Sequence, residues 1–430
     1  MISKKAILLC YYFPPNTGVG GRRWVKFSKY LSAKNTSVTV YTPSRFVLKN
    51  QPTWEAEIKN IQGLNIIQVN DHYPKILLDT TVGFVEKLSY KLADTYVGFF
   101  AKGNKYDPSS FWENIIQKQV GEKLKKENIS NLIVSGIPFH YFYFAALLKS
   151  TSPGINLVLD FRDLWTDSLG SYGQNVRKFQ SQERYEFECK QERYAVEQAD
   201  YILCASDDLL ELYCKKYPSC KEKFLLVMNG FDPADMRMPE GTKNIQHEKT
   251  DPQIRIMNIG TINCSKQYYM HFLEALLKIK ANDKELYKKL RFDFYGNTNM
   301  QFENDVRSLQ LDCFTFNGRI ESEKVPAVLN LADMVLYIKK EDELANSFAS
   351  KFFEYLFARK YIITLSPAGK VTEYITDNNI GLVLEKGTIY PALIKLFNNF
   401  NTGNFTFNST LDISEFGYDK IVEKIHAVLK

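Results

Sequence analysis

The chain has 430 residues, of which 45% are hydrophobic, and a formal net charge of +6; this length exceeds what one core usually supports and predicts two domains. No run approaches the ~20 apolar residues of a membrane span, and the apolar run at the N-terminus is too short for a signal peptide. Seven scattered cysteines without a Cys-x-x-Cys pair favour a reducing compartment, and together with five dispersed histidines they argue against a zinc site.

The first predicted element is a buried strand over the apolar residues 6–12, followed by a glycine- and arginine-rich loop over residues 13–23 and then a helix. Glycines let a backbone approach a ligand closely, and the free amides of a helix start favour an anion. Residues 1–54 contain nine Lys or Arg and no acid, so the basic excess surrounds this loop. The pattern indicates an anion site, and a glycine turn without a ligand is the alternative.

The loop departs from both common phosphate-binding fingerprints. The dinucleotide motif needs Gly or Ala where Arg23 stands, and it needs an acid about 20 positions further on, which is absent. No Gly-Lys-Ser/Thr follows, which excludes a P-loop. The chain also lacks an Asp-x-Asp pair of the kind that holds a divalent cation on a nucleotide diphosphate. We therefore expect no metal and no bound cofactor.

Strand and helix patterns alternate through the chain and predict an α/β fold with parallel sheets. We predict an N-terminal Rossmann-like domain over residues 1–231, a polar linker over residues 232–252 and a second such domain over residues 253–413. The last helical pattern, within residues 414–430, is expected to pack back on the first domain. Two doubly wound domains of this kind would face each other across a cleft, with ligands beyond the strand carboxyl ends.

Residues 80–112 interleave aromatic side chains with lysines. Such a mixture suits a membrane surface or a lipid-linked acceptor, and a buried helical hairpin is the alternative. Because no aromatic RNA-binding motif accompanies the lysines, we expect no nucleic-acid partner.

Further segments stand beside the predicted strands and helices, several of them at strand ends, where parallel sheets place their ligands. In chain order they are Ser-Gly-Ile-Pro-Phe-His (135–140), Asp-Phe-Arg-Asp-Leu-Trp (160–165), Ala-Asp (199–200), Asn-Gly-Phe-Asp (229–232), Ile-Gly-Thr (259–261), Phe-Tyr-Gly (294–296), Gly318, Ala-Asp (332–333) and Ser-Lys-Phe-Phe-Glu-Tyr-Leu (350–356). The two Ala-Asp pairs precede predicted strands, and the segment 229–232 lies at the domain junction. Together with the opening loop, this ordered set resembles the retaining GT-B glycosyltransferases of the family 4 type. It is most similar to the bacterial members that build surface polysaccharides.

The resemblance implies roles for individual residues. Glu354 matches the glutamate that binds the ribose hydroxyls of a nucleoside-diphosphate sugar, and Lys266 matches the cation that holds its diphosphate. Gly20 and Gly21 match the loop that meets the donor phosphates and sugar. His140 matches the active-site histidine that contacts the donor sugar. The family transfers sugar with retention and without a metal.

The remaining candidates are one carboxylate, two cations and one amide beside these positions. They are Asp163 in the 160–165 segment, as a catalytic residue, and Arg23, Lys351 and Asn346, as donor-binding residues. The family has a second glutamate where this chain has Asn346, which binds hydroxyls without a charge; a shifted alignment would use Glu343 instead. Thr261 stands where an arginine often follows the glycine, and Arg22 or Arg23 would compensate for it.

Each candidate also has a structural interpretation. His140 precedes three aromatic residues and is compatible with a histidine packed in the core. Glu354 and Lys351 are compatible with an ordinary ion pair on a helix. Asp160 and Asp163 are compatible with turn or cap positions.

The sequence thus predicts a retaining, metal-independent glycosyltransferase acting on a glycan or lipid-linked glycan. We expect it in the cytoplasm, at the inner face of the membrane. A non-catalytic GT-B protein and a nucleotide-sugar epimerase are the alternatives.

Overall fold

The computed structural model describes residues 4–17, 19–48, 54–79, 83–101, 103–167, 181–236, 253–262, 264–296, 300–339 and 346–430. The chain forms two compact units, Met1–Met228 with Tyr418–Lys430, and Asn229–Gly417. Most of the predicted linker, residues 237–252, lies outside the described residues, and Pro233–Met236 form a short 3₁₀ helix.

The first unit is built on a sheet of seven parallel strands in the order β3-β2-β1-β4-β5-β6-β7. The strands are β1 (Lys4–Leu9), β2 (Thr36–Pro43), β3 (Leu64–Val69), β4 (Asn131–Ser135), β5 (Asn156–Phe161), β6 (Tyr201–Cys204) and β7 (Phe224–Leu226). The order reverses direction between β1 and β4, so the carboxyl ends of these two strands flank a topological switch point, where open α/β sheets place their ligands.

Seven helices precede the second unit within the described ranges. They are α1 (Arg22–Ala33), α2 (Glu55–Ile58), α3 (Phe84–Phe100), α4 (Gly121–Lys126), α5 (His140–Thr151), α6 (Gln182–Gln198) and α7 (Asp207–Lys216). A π-helical stretch, Ile115–Val120, runs directly into α4. On α1 the buried Trp24, Phe27 and Leu31 recur at helical spacing and place one face of the helix in the core of the unit.

The second unit contains six parallel strands in the order β10-β9-β8-β11-β12-β13. The strands are β8 (Ile254–Ile259), β9 (Leu290–Tyr295), β10 (Phe314–Phe316), β11 (Met334–Ile338), β12 (Tyr361–Leu365) and β13 (Gly381–Val383). Its helices are α8 (Lys266–Asn282), α9 (Lys284–Lys289), α10 (Met300–Ser308), α11 (Val325–Leu331), α12 (Ser350–Phe357), α13 (Lys370–Asp377) and α14 (Ile389–Asn401).

The last helix, α15 (Tyr418–Val428), belongs to the first unit. Tyr418 packs edge-on against Phe27 of α1, and the Lys4 ammonium donates to the carbonyls of His426 and Leu429. Strands and helices thus alternate in both units, and the predicted α/β class with two doubly wound parallel sheets is confirmed. Among the described helices, none combines the length and the hydropathy needed to cross a bilayer.

Candidate functional site

The glycine loop before α1 is held by Arg162, which directly follows β5. The Arg162 guanidinium donates hydrogen bonds to the carbonyls of Gly20, Gly136 and, at 3.0 Å, Ile137. A methyl group on Gly20 would stand 2.6 Å from Arg162 Nη1, and one on Gly21 would stand 2.1 Å from the Tyr12 carbonyl oxygen. Gly21 is therefore required by close packing against backbone, whereas a side chain at position 20 would displace the Arg162 guanidinium.

Arg23, predicted to bind the donor, is buried in the first unit. Its Nη2 lies 3.1 Å from Asp160 Oδ1 and also donates to the carbonyl of Val227, and its guanidinium stacks on Phe27. Asp160 accepts further hydrogen bonds from Trp24 Nε1 at 2.7 Å and from Ser135 Oγ at 3.2 Å. This geometry ties the start of α1 to the carboxyl ends of β4 and β5, which is a positioning role.

His140 begins α5 and is 3% exposed. Its Nε2 contacts Glu188 Oε1 and its Nδ1 lies 2.9 Å from Ser110 Oγ. A methyl group on Gly103 would stand 2.0 Å from Glu188 Oε1 and 2.8 Å from His140 Nε2, so the backbone at Gly103 covers this pair. The imidazole is therefore packed inside the unit, as its structural interpretation describes.

The charge of His140 follows from its neighbours. Burial alone lowers the pKa of His140, but the carboxylates of Glu188 and Asp107 outweigh it and raise the pKa to about 9. At neutral pH the imidazolium therefore donates from both nitrogens, to Glu188 and to Ser110. The sequence predicted His140 but not Glu188, which also accepts from Trp165 Nε1 at 2.5 Å and from the Asn104 amide at 2.7 Å.

Asp163, predicted as catalytic, lies half-buried just after β5. Its Oδ1 accepts a hydrogen bond of 2.8 Å from the amide of Leu164. Its neighbour Arg162 was not among the predicted site residues, although it stands in the same predicted segment.

In the second unit, three glycines end the adjacent strands β8, β9 and β10. Gly260, Gly296 and Gly318 have φ values of +140°, +128° and +68°, a backbone region that favours glycine. The Gly260 amide donates to the Tyr295 carbonyl and the Gly296 amide to the Gly318 carbonyl, each at 2.7 Å. These two hydrogen bonds hold the three loops together. Because glycine has no side chain, the loops present bare backbone at this place, which we call the glycine ledge.

Lys351 and Glu354 of α12 stand beside the glycine ledge. A methyl group on Gly260 would lie 3.6 Å from Lys351 Cγ, which puts the lysine side chain in contact distance of the ledge. Lys351 Nζ donates to Glu354 Oε2 at 2.7 Å. Tyr355, the next residue, accepts from the Ile259 amide at 2.8 Å and so fixes α12 to the end of β8. Glu354, the predicted ribose carboxylate, and Lys351 therefore belong to a helix that is fixed at the carboxyl end of β8.

Lys266 and Asn346 contact other parts of the second unit. Lys266 Nζ lies 2.7 Å from Asp305 Oδ1 on α10, and hydrogen bonds from Lys266 and Tyr269 lower the pKa of Asp305. Asn346 Oδ1 accepts from the Lys370 amide at 2.9 Å and so anchors the start of α13. Glu343, the alternative to Asn346, lies outside the described residues.

The second unit contains a cavity of about 690 Å³. The start of α8 and the loops that follow β12 and β13 line it, with Tyr268, His271, Pro367, Glu373 and Glu385 among the contributing side chains. Among the described residues, no group of three His, Cys, Asp or Glu side chains is placed to hold a metal ion.

Comparison with solved structures places both units in one known fold. HepE from Anabaena in complex with UDP matches 99% of this chain and 98% of its own with a TM-score of 0.57 at 12% identity. A glycosyltransferase from Rickettsia africae gives 0.60 at 12% identity over 99% and 97% of the two chains. UDP-GlcNAc 2-epimerase from Neisseria meningitidis, bound to UDP-GlcNAc, gives 0.51 at 11% identity over 99% of both.

The two parallel α/β units and these matches along the whole chain define the GT-B fold, as the sequence predicted. No protein-family model matches the chain, and no curated protein sequence matches it. At 10–13% identity these likenesses concern the fold, and both transferases and an epimerase share it.

Proposed function

We propose that this protein is a glycosyltransferase that takes its sugar from a nucleoside-diphosphate sugar. The observation that carries the proposal is the glycine ledge of the second unit, with the Lys351–Glu354 pair beside it. A ledge without side chains admits a flat or charged ligand close to the backbone, and a carboxylate accepts hydrogen bonds from both hydroxyls of a ribose. HepE, a protein of the same fold, was solved with UDP and with UDP and glucose.

The described cations supply the charge that a departing diphosphate needs. Lys351 lies next to Gly260, and Lys266 begins the helix that follows β8. Both ammonium groups now face carboxylates, Glu354 and Asp305, and a diphosphate would compete for them. Charge that develops on the leaving group is stabilised best by cations already held near it. Transfer would proceed with retention and without a metal, as the resemblance implies.

The first unit would meet the acceptor, a glycan or lipid-linked glycan of surface polysaccharide synthesis. This part of the proposal rests on the resemblance of the motif set. Gly20, Gly21 and Asp163 remain predicted to contact the donor sugar or the acceptor. Since Arg23 and His140 are buried, we expect them to act by holding the loops rather than by touching substrate.

Nucleotide binding measured by calorimetry tests the proposal. UDP, GDP, ADP and their common sugar conjugates are titrated into the protein; binding of none of them below millimolar would refute the donor site. Glu354→Gln should weaken binding of the preferred nucleotide at least tenfold, since hydrogen bonds to a charged group are worth about 1.5–3 kcal/mol. The control is Glu285→Gln, because Glu285 also forms an i,i+3 ion pair, with Lys288 at 2.8 Å, on another helix of the unit, where it is exposed and follows the reverse order of charges.

A nucleotide-sugar epimerase is the second candidate, because the epimerase from Neisseria meningitidis matches this chain over 99% of its length. Incubation of the protein with UDP-GlcNAc alone, followed by NMR of the sugar, separates the two activities. A change of configuration without an acceptor would establish the epimerase and remove the transferase. Binding without conversion, hydrolysis or transfer to any glycan would leave a non-catalytic GT-B protein.

A further inference from the structure

The helix α3 presents an apolar face to solvent. Nine large hydrophobic side chains are exposed among the described residues, and seven of them lie on α3. They are Phe84, Val85, Leu88, Leu92, Tyr96, Phe99 and Phe100. Phe84 is 84% exposed and Phe99 is 83% exposed. At 100° per residue the seven fall on one side of the helix, which spans 17 residues or about 25 Å.

The opposite side attaches α3 to the first unit. Val97 is fully buried against Tyr73 and Ala101. Tyr96 of the apolar face is 44% exposed and also stacks on Phe111. Arg184 of α6 donates to the Gly98 carbonyl at 2.6 Å. The apolar face is therefore the outward side of a helix that is held in place.

The charged side chains of α3 flank its apolar face. Asp94 is half-buried and pairs with Lys105 at 2.7 Å, and the half-buried Glu86 accepts from the Gly83 amide at 3.4 Å. Lys87 and Lys91 are exposed and fall along one edge of the apolar face. The apolar face itself carries no carboxylate. Asp94 lies near Lys87 on the helix but is neutralised by Lys105, so the edge of the face that holds Lys87 and Lys91 has a net positive charge.

We propose that α3 lies in the interface of an anionic lipid bilayer, with its apolar side chains among the acyl chains and its lysines at the headgroup phosphates. Helices that lie in the interfacial plane combine these features, and anionic lipids attract lysines near the surface. A contiguous apolar face of this size is uncommon on the free surface of a monomer. This proposal extends the proposed function, because a lipid-linked acceptor would be found at the same membrane surface. It rests on the proposed function in that respect alone.

Co-sedimentation with vesicles tests the proposal without any nucleotide, so its failure is distinct from failure of the donor site. The wild type should bind vesicles of phosphatidylcholine with 30% phosphatidylglycerol, and it should bind pure phosphatidylcholine vesicles more weakly. Leu92→Asp with Phe99→Asp should weaken binding at least tenfold on both, since each buried side chain of this size contributes about tenfold or more. The control, Val47→Asp, places the same charge at an apolar residue that is 67% exposed elsewhere in the unit and should bind like the wild type.

Lys87→Gln with Lys91→Gln separates the two attractions. This variant should lose about tenfold or more on the anionic vesicles and nothing on the neutral ones. Equal binding of wild type and Leu92→Asp/Phe99→Asp, or no binding of the wild type to anionic vesicles, would overturn the proposal. Sedimentation velocity without lipid should give a monomer; a dimer that the same aspartates dissolve would identify the face as a subunit interface instead. Unchanged tryptophan fluorescence shows that each variant is folded.

Discussion

The buried pair of Arg23 and Asp160 makes a prediction that decides between two roles for Arg23. If the pair holds α1 to the sheet, Asp160→Asn and Arg23→Gln should each destabilise the first unit. The two side chains are 0% and 5% exposed, and Asp160 also accepts from Trp24 and Ser135. Removing one partner leaves the other charge buried and uncompensated, which costs about 3–5 kcal/mol.

The expected shift is large enough to measure by urea denaturation. For a slope of about 3 kcal/mol per M, a loss of 3–5 kcal/mol lowers the midpoint by about 1–2 M. All the tryptophans lie in the first unit, so their fluorescence follows the unfolding of that unit. They are Trp24, Trp54, Trp112 and Trp165.

A double variant distinguishes the pair from general damage to the core. Arg23→Met with Asp160→Leu removes both charges and should cost less than the sum of the two single changes, because no unpaired charge remains. Unchanged urea midpoints for both single variants, together with a loss of UDP affinity in Arg23→Gln, would refute this reasoning and return Arg23 to the donor site.

Three further predictions follow from the same geometry. The pKa of His140 is raised to about 9 in the folded protein, so the stability that its positive charge contributes is full below pH 6.5 and is lost as the pH rises toward 9. The free energy of unfolding of the wild type should therefore fall by about 3 kcal/mol over that range, and that of His140→Gln should not. Urea denaturation at each pH measures it. Gly296→Ala should lower the melting temperature in circular dichroism more than Gly318→Ala, because its methyl group would meet the Gly260 carbonyl oxygen at 2.4 Å whereas the space at Gly318 is open; equal losses would contradict the ledge geometry. Lys266→Gln should weaken UDP binding about tenfold in calorimetry while changing stability by less than about 1 kcal/mol, since its side chain is half-exposed; unaltered affinity would remove Lys266 from the site.

The two sheets were predictable because their signals are local. Short apolar runs separated by helical periodicity occur within windows of about 15 residues, and a parallel sheet follows from their alternation. The glycines at 20, 21, 260, 296 and 318 were also visible, because residues without a side chain at strand ends are read directly from the chain. What each glycine avoids was not visible: Gly20 avoids Arg162, which lies 142 positions away.

The partners of the charged candidates come from distant parts of the chain, and this is why the sequence did not predict those partners. Arg23 pairs with a carboxylate 137 positions away, and His140 pairs with Glu188 after 48 positions. Neither separation leaves a periodic signal, because the contacts depend on which strand carboxyl ends become neighbours. Lys351 and Glu354 differ, since their spacing on one helix predicts their contact directly.

The difference between the buried ion pairs of the first unit and the Lys351–Glu354 pair of the second indicates where a nucleotide would bind. In the first unit, Arg23 and Arg162 donate their hydrogen bonds to Asp160 and to loop carbonyls of the same unit. In the second unit, Lys351 is partly exposed and lies beside the glycine ledge. An anionic ligand gains most from a cation that exchanges one partner for another without uncovering a buried charge. The glycine ledge and its Lys351–Glu354 pair are therefore the place where a nucleotide diphosphate should first be tested.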